Sequence, residues 1–327
     1  MPYRQNALNK WLGQLPDVTP FTITPLAGDA SFRCYYRMKS HETSYIVMDA
    51  PPEKETMRPF IAVAELLRSN DIRTPQIIAC DEASGFALLE DFGDGLLLNK
   101  LTLATADDLY QSAIDTLRHM QQCPTSSAYP LPCFDTSFIL GELGVFKQWF
   151  LKSYLKLQLS EPEEQLLEQT FNWLASNVSN QPGVFIHRDY HSRNIMMTEG
   201  TPDTRPAIID FQDAMQGPFT YDLVSLLKDC YIQWPRDDVM RWLRYFHEQS
   251  PTTKQWSLPA FVRAFDLCGL QRHLKVLGVF ARLSLRDNKH HYLKDLPLTL
   301  HYVLAALEDC EELQPFYQFM QQRVHLP

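Results

Sequence analysis

The stretch Gly183–Met197, GVFIHRDYHSRNIMM, decides how the rest of the chain is read. Val184-Phe185-Ile186 and Ile195-Met196-Met197 are short apolar runs, and the segment between them is polar. That pattern predicts two buried strands joined by a loop that faces solvent or a ligand. The loop carries a carboxylate at Asp189 and a side-chain amide at Asn194. A further apolar run, Ala207-Ile208-Ile209, leads into a second acid at Asp210. Oxygen donors presented at strand ends suit hard divalent cations. A carboxylate in such a loop can orient a hydroxyl and take its proton.

His187-Arg188-Asp189 followed by Asn194 reproduces the H-R-D-x-x-x-x-N spacing of a phosphoryl-transfer loop. In that reading Asp189 is the catalytic residue, while Asn194 and Asp210 are ligands for Mg2+. A chance loop between two strands is the alternative for a pattern this short. The strand on either side, and the third strand that delivers Asp210, weigh against it.

At 327 residues the chain suits two lobes around a cleft better than one minimal core. A hydrophobic share of 45% and a charged share of 21% belong to an ordinary globular protein. The net charge of −9 repels nucleic-acid phosphates, so no nucleic-acid partner is expected. The seven cysteines form no C-x-x-C pair and read as reduced thiols. The first residues, MPYRQNALNKWLGQL, read as an amphipathic helix and not as a signal peptide. Every long apolar stretch is flanked by charges, so no membrane span is expected. The sequence implies a soluble protein with no obligatory protein partner.

The expected fold is α+β and bilobal. FTITPL, SFRCYYRM, SYIVMDA, TPQIIAC and GFALLED read as five antiparallel strands, with one main helix from about Met57 to Asn70. Together they make a small N-terminal lobe over residues 1–93. Residues 94–327 show long helical periods and form a larger, mostly helical lobe. Asp135 reads as a helix N-cap, and Pro182-Gly183 ends the helix that starts near Glu161.

Tyr45–Glu55, Asp210–Pro235 and Leu267–Leu293 extend this pattern into a recognisable resemblance. From end to end the chain resembles the aminoglycoside phosphotransferase and choline kinase family, which has the protein-kinase-like fold. These three stretches are similar to the anomeric N-acetylmuramate/N-acetylglucosamine kinases of bacterial cell-wall recycling. The resemblance implies a cytoplasmic enzyme that uses ATP and Mg2+ to phosphorylate the C1 hydroxyl of an amino sugar, giving the α-1-phosphate. A kinase of the same fold for another small acceptor, such as an aminoglycoside, a choline-like amine or homoserine, is the alternative. A pseudokinase scaffold is a third.

The resemblance also assigns supporting roles. His187 shapes the loop, and Asp222 hydrogen-bonds it from beneath. Glu90 and Phe92 lie at the hinge where backbone groups would meet adenine, and Ser31 lies in the loop that would cover the phosphates. That loop, Gly28-Asp29-Ala30-Ser31, has one glycine. The usual lysine of the third strand is missing, with Met48 and Asp49 in its neighbourhood, and Arg33 and Lys54 are the nearest cations. Arg193, Asp213 and Arg272 are candidate substrate contacts. For Arg193 and Arg272 the competing reading is a solvated charge, and for Asp213 it is a residue that closes a turn.

Overall fold

The computed structural model describes residues 2–16, 18–26, 32–125, 129–198 and 205–327. Two compact units emerge, Met1–Gly95 with Met196–Asp213, and Leu96–Ile195 with Ala214–Pro327.

In the first unit, α1 (Pro2–Leu12) precedes β1 (Phe21–Pro25), β2 (Cys34–Ser40) and β3 (Thr43–Asp49). Helix α2 (Arg58–Ser69), β4 (Ile77–Asp81) and β5 (Phe86–Glu90) follow. The strands form an antiparallel sheet in the order β1-β2-β3-β5-β4. Leu8 and Leu12 of α1 pack with Val18, Met38, Val47, Phe86 and Leu88, which is why the amphipathic N-terminus belongs to the sheet. Asp49, near the place of the expected lysine, accepts a hydrogen bond from Arg4 Nε at 3.0 Å and so ties α1 to β3. Pro59 sits in the first turn of α2, where a missing N–H costs nothing, and the helix buries Phe60, Val63, Ala64, Leu66 and Leu67.

In the second unit, α3 (Leu97–Lys100), α4 (Ala106–Met120) and α5 (Thr136–Val145) come first. The Asp135 carboxylate caps α5 by accepting the Phe138 N–H at 2.8 Å. Beyond α5 the helix widens into a π-helical segment, Phe146–Tyr154. Helix α6 (Glu161–Ser179) opens on a Ser160–Glu163 capping box. Along the chain β6 (Gly183–Ile186), β7 (Ile195–Met196), β8 (Ala207–Ile208) and β9 (Met215–Pro218) follow, with β8 inside the stretch that groups with the first unit and β7 at its edge. β6 pairs antiparallel with β9, and β7 and β8 form a separate two-stranded sheet. Helices α7 (Tyr221–Leu227), α8 (Arg236–Gln249), α9 (Leu258–Asp287), α10 (Leu296–Glu308) and α11 (Gln314–Arg323) complete the chain.

Local bonds explain why residues 196–213 group with the first unit. Met197 N–H donates to the Gly95 carbonyl at 2.6 Å, Ile208 N–H donates to the Arg73 carbonyl at 2.8 Å, and Phe211 stacks on Phe60 at 5.1 Å. These contacts are distant in sequence, whereas a boundary drawn from periodicity falls once, near residue 93.

Helix α9 is the spine of the second unit. Gly278 lets it approach the π-helical segment, since a Cβ there would lie 2.6 Å from the Phe146 backbone nitrogen. No side chain can yield to relieve that contact. Gly278→Ala is expected to destabilise the protein by about 1–3 kcal/mol. Gly144→Ala in α5, where nothing lies within 4 Å of the added carbon, should be neutral or stabilising by up to about 1 kcal/mol. Urea unfolding midpoints of the two variants check this contrast.

Candidate active site

The loop after β6 is anchored by Asp222 in the first turn of α7. Its carboxylate is fully buried and accepts the backbone N–H of His187 at 2.6 Å and of Arg188 at 2.9 Å. Arg188 has φ +75°, a left-handed conformation that costs a non-glycine residue about 1–3 kcal/mol and persists only where its surroundings enforce it. The loop then closes on itself. His191 N–H and Asn194 Nδ2 both donate to the Asp189 carbonyl at 3.0 Å. Asp229 holds its middle by accepting the Ser192 N–H at 3.0 Å.

Asp189 stands in a cationic environment. Desolvation at its enclosed position would push its carboxyl up, but the charges of Lys275, His191, Arg272 and Arg188 prevail and hold it well below the usual carboxylate range. These cations are themselves organised. Arg188 Nη2 donates to Glu142 Oε1 at 2.8 Å and lies over the Phe138 ring at 5.0 Å. Gln271 Nε2 donates to Glu142 Oε2 at 2.9 Å, and Lys275 Nζ approaches Glu142 Oε1 at 3.9 Å. Helix α5 therefore supplies one buried acid that gathers the loop arginine and two residues of α9.

In the first unit Asp210 also has a left-handed backbone, at φ +64°, and its Oδ1 accepts from Gln212 Nε2 at 2.8 Å. Arg33 is 7% exposed and ion-paired with Glu55 at 2.8 Å. The neighbouring Tyr35 phenol is pushed up to about 12 by burial and by the negative charge of Asp210. Lys54, the other cation near the missing lysine, is exposed and lies over Phe32 at 5.6 Å.

The hinge side chains are occupied by structure. Glu90 Oε2 accepts the Gln76 N–H at 3.1 Å, and Phe92 lies under the Arg73 guanidinium at 5.0 Å. Between them Asp91 accepts from Arg37 Nε at 2.7 Å, the Ser44 hydroxyl and the Gly93 N–H. Ser31 falls outside the described residues.

The remaining candidates lie in distinct settings. Arg193 is stacked on the Tyr231 ring at 3.6 Å, Asp213 is exposed, and Arg272 is 3% exposed with Nη1 3.9 Å from Cys230 Sγ. Glu142 and Asp229 escaped the sequence reading. Glu142 sits in the apolar run FILGELGVF, where a lone acid among buried neighbours was the available signal.

Among the described residues no group of three or more His, Cys, Asp or Glu side chains is placed to hold a metal. A magnesium site needs fewer protein ligands, since nucleotide phosphates and water complete its shell. Asn194 fits the chemistry of that demand through its amide oxygen, while its Nδ2 donates to the Asp189 carbonyl. In the first unit Asp210 is a carboxylate, the other oxygen donor that the sequence offered for such a cation.

A strand-rich unit, a mostly helical unit and an H-R-D loop anchored by a buried acid define a phosphotransferase of the protein-kinase-like fold. The chain belongs to the phosphotransferase enzyme family, whose profile matches residues 22–257. It is similar to the N-acetylmuramate/N-acetylglucosamine kinase of Pseudomonas putida, with 38% identity over 308 residues, 93% of this chain and 88% of that one. The same-named kinase of Neisseria meningitidis is 34% identical over 97% of this chain and 95% of its own. Among solved structures, a choline/ethanolamine kinase family protein from Mesorhizobium loti superposes with a TM-score of 0.66 at 14% identity, covering 96% of this chain and 99% of that one. No described helix is long and apolar enough to cross a membrane.

Burial raises the Asp222 carboxyl to about 7, against the pull of its two N–H bonds. A folded-state value above the unfolded one means the folded protein binds this proton more tightly. The resulting stability is complete below the unfolded value of about 4 and is lost as pH rises through about 7. Asp222→Asn should remove that component of the pH dependence of unfolding free energy. Asp222→Ala leaves two buried N–H groups without an acceptor and should cost about 2–5 kcal/mol at any pH. Denaturation at pH 5 and pH 8 separates the two effects.

Proposed function

We propose that this enzyme transfers the γ-phosphoryl group of ATP to the anomeric C1 hydroxyl of N-acetylmuramate or N-acetylglucosamine, giving the α-1-phosphate. The observation that carries this reading is 38% identity to a kinase named for these two sugars over 93% of the chain. The geometry around Asp189 supports it. Arg188, Arg272 and Lys275 surround that residue with positive charge, which suits a neutral or anionic acceptor better than an amine. The product is one of cell-wall sugar recycling in the cytoplasm.

In this mechanism Asp189 aligns the C1 hydroxyl and takes its proton late. A carboxylate held so far below its ordinary range is a weak base, but the anomeric hydroxyl is more acidic than an ordinary alcohol because the ring oxygen withdraws charge. Alignment therefore matters more than basicity, and most of the rate comes from positioning and charge neutralisation. A magnesium ion bound with the nucleotide phosphates would supply that neutralisation, and the H-R-D-x-x-x-x-N spacing nominates Asn194 of the second unit, and the strand-end acid Asp210 of the first, as its protein ligands. Backbone groups of residues 90–92 receive the adenine, since their side chains are committed elsewhere. Arg33, with Glu55 as counter-ion, takes the place of the absent third-strand lysine.

Asp189→Asn should lower kcat on N-acetylmuramate at least about a hundredfold while nucleotide affinity, measured by calorimetry, stays within about twofold. ATP turnover against N-acetylmuramate, N-acetylglucosamine, kanamycin and choline tests the acceptor class. Turnover confined to the amine acceptors would overturn the amino-sugar reading.

A further inference from the structure

The two sugars of the proposed reaction differ by one charged group, the carboxylate of the lactyl ether that N-acetylmuramate carries and N-acetylglucosamine lacks. A residue that tells them apart has to present a cation close to Asp189 with hydrogen-bonding capacity left over. We infer that Lys275 of α9 is that residue and that its ammonium binds the acceptor carboxylate, an assignment that rests on the amino-sugar reading above.

The other cations of this region are each held by an acid, by an aromatic ring or by burial. Arg188 is spent on Glu142 at 2.8 Å and on the Phe138 ring. Arg193 holds its guanidinium over the Tyr231 ring at 3.6 Å. Arg272 is 3% exposed, too enclosed to meet a ligand, and acts on Asp189 as a fixed charge. Arg286 forks onto its neighbour Asp287 at 2.8 and 2.9 Å at the far end of α9.

Lys275 differs from all of these. Its side chain is 14% exposed, and its ammonium lies 3.9 Å from Glu142 Oε1, an ion pair too long to be a hydrogen bond. Its three N–H donors make no hydrogen bond to the described residues. Glu142 Oε1 is shared with Arg188, the residue before Asp189, so this ammonium stands one side chain away from the catalytic loop. Glu142 fixes its position without consuming its donors. The arrangement holds a desolvated cation ready for an anionic partner, and a charged hydrogen bond in such a place is strong.

Lys275 also contributes to the field that keeps Asp189 ionised, so its removal is expected to reduce kcat on both sugars. Discrimination between them is the readout that isolates carboxylate binding. Lys275→Gln should raise KM for N-acetylmuramate on the order of ten- to hundredfold and shift KM for N-acetylglucosamine less than about threefold. Glu142 keeps Arg188 and Gln271 in this variant, so folding should survive. Lys275→Arg, which preserves the charge, should restore most of the N-acetylmuramate preference and provides a second reading. An equal loss on both sugars, or no change in their kcat/KM ratio, would overturn the assignment while leaving the amino-sugar kinase intact. Failure of the unsubstituted enzyme to phosphorylate either sugar would remove the functional reading, and this inference with it.

Discussion

The acceptance of two backbone N–H groups by the buried carboxylate of Asp222 is the constraint on which the catalytic loop depends. The two bonds together contribute about 1–3 kcal/mol, comparable to the strain of one left-handed residue. Arg188 carries that strain, and its unusual backbone sets where Asp189 falls relative to the cations of α9. Asp229 repeats the device one turn of loop later, at Ser192. Two acids from the α7 region thus fix a loop that has no regular secondary structure of its own.

The second layer of organisation is electrostatic. The chain is acidic overall, with a net charge of −9, yet the surroundings of Asp189 are cationic. Glu142 reconciles the two by gathering Arg188 and Lys275 around one buried carboxylate. Local field outweighs net charge here, as it must wherever an acidic protein handles a phosphate. Asp189 is thereby kept ionised, with little intrinsic basicity, which suits the role proposed for it beside an acidic hydroxyl. Phosphoryl transfer tolerates a weak base because positioning and charge supply most of the rate.

Much of this was legible in the sequence because it is local. The H-R-D-x-x-x-x-N spacing, the β-branched runs that became β1 to β5, the Asp135 cap and the α6 boundaries are written in short windows. The rest depends on partners far apart in the chain. Nothing near residue 142 announces a meeting with residues 188, 271 and 275. The π-helical widening after Val145 begins where Gly278, more than a hundred residues away, makes its close approach. The regrouping of residues 196–213 has the same origin. Asp49, which displaces the usual lysine neighbourhood, is explained by Arg4 in a helix that ordinary motif reading leaves aside. Among the cations of α9 the sequence offered no way to choose, since exposure and pairing, not identity, distinguish Lys275 from its neighbours.

Phosphorus NMR of the product formed from ATP and N-acetylmuramate tests most directly whether the hydroxyl that receives the phosphate is the anomeric one. The expected spectrum shows a phosphate coupled to the anomeric proton, in the α configuration. A phosphate on any other hydroxyl of the sugar, with C1 left free, would contradict it.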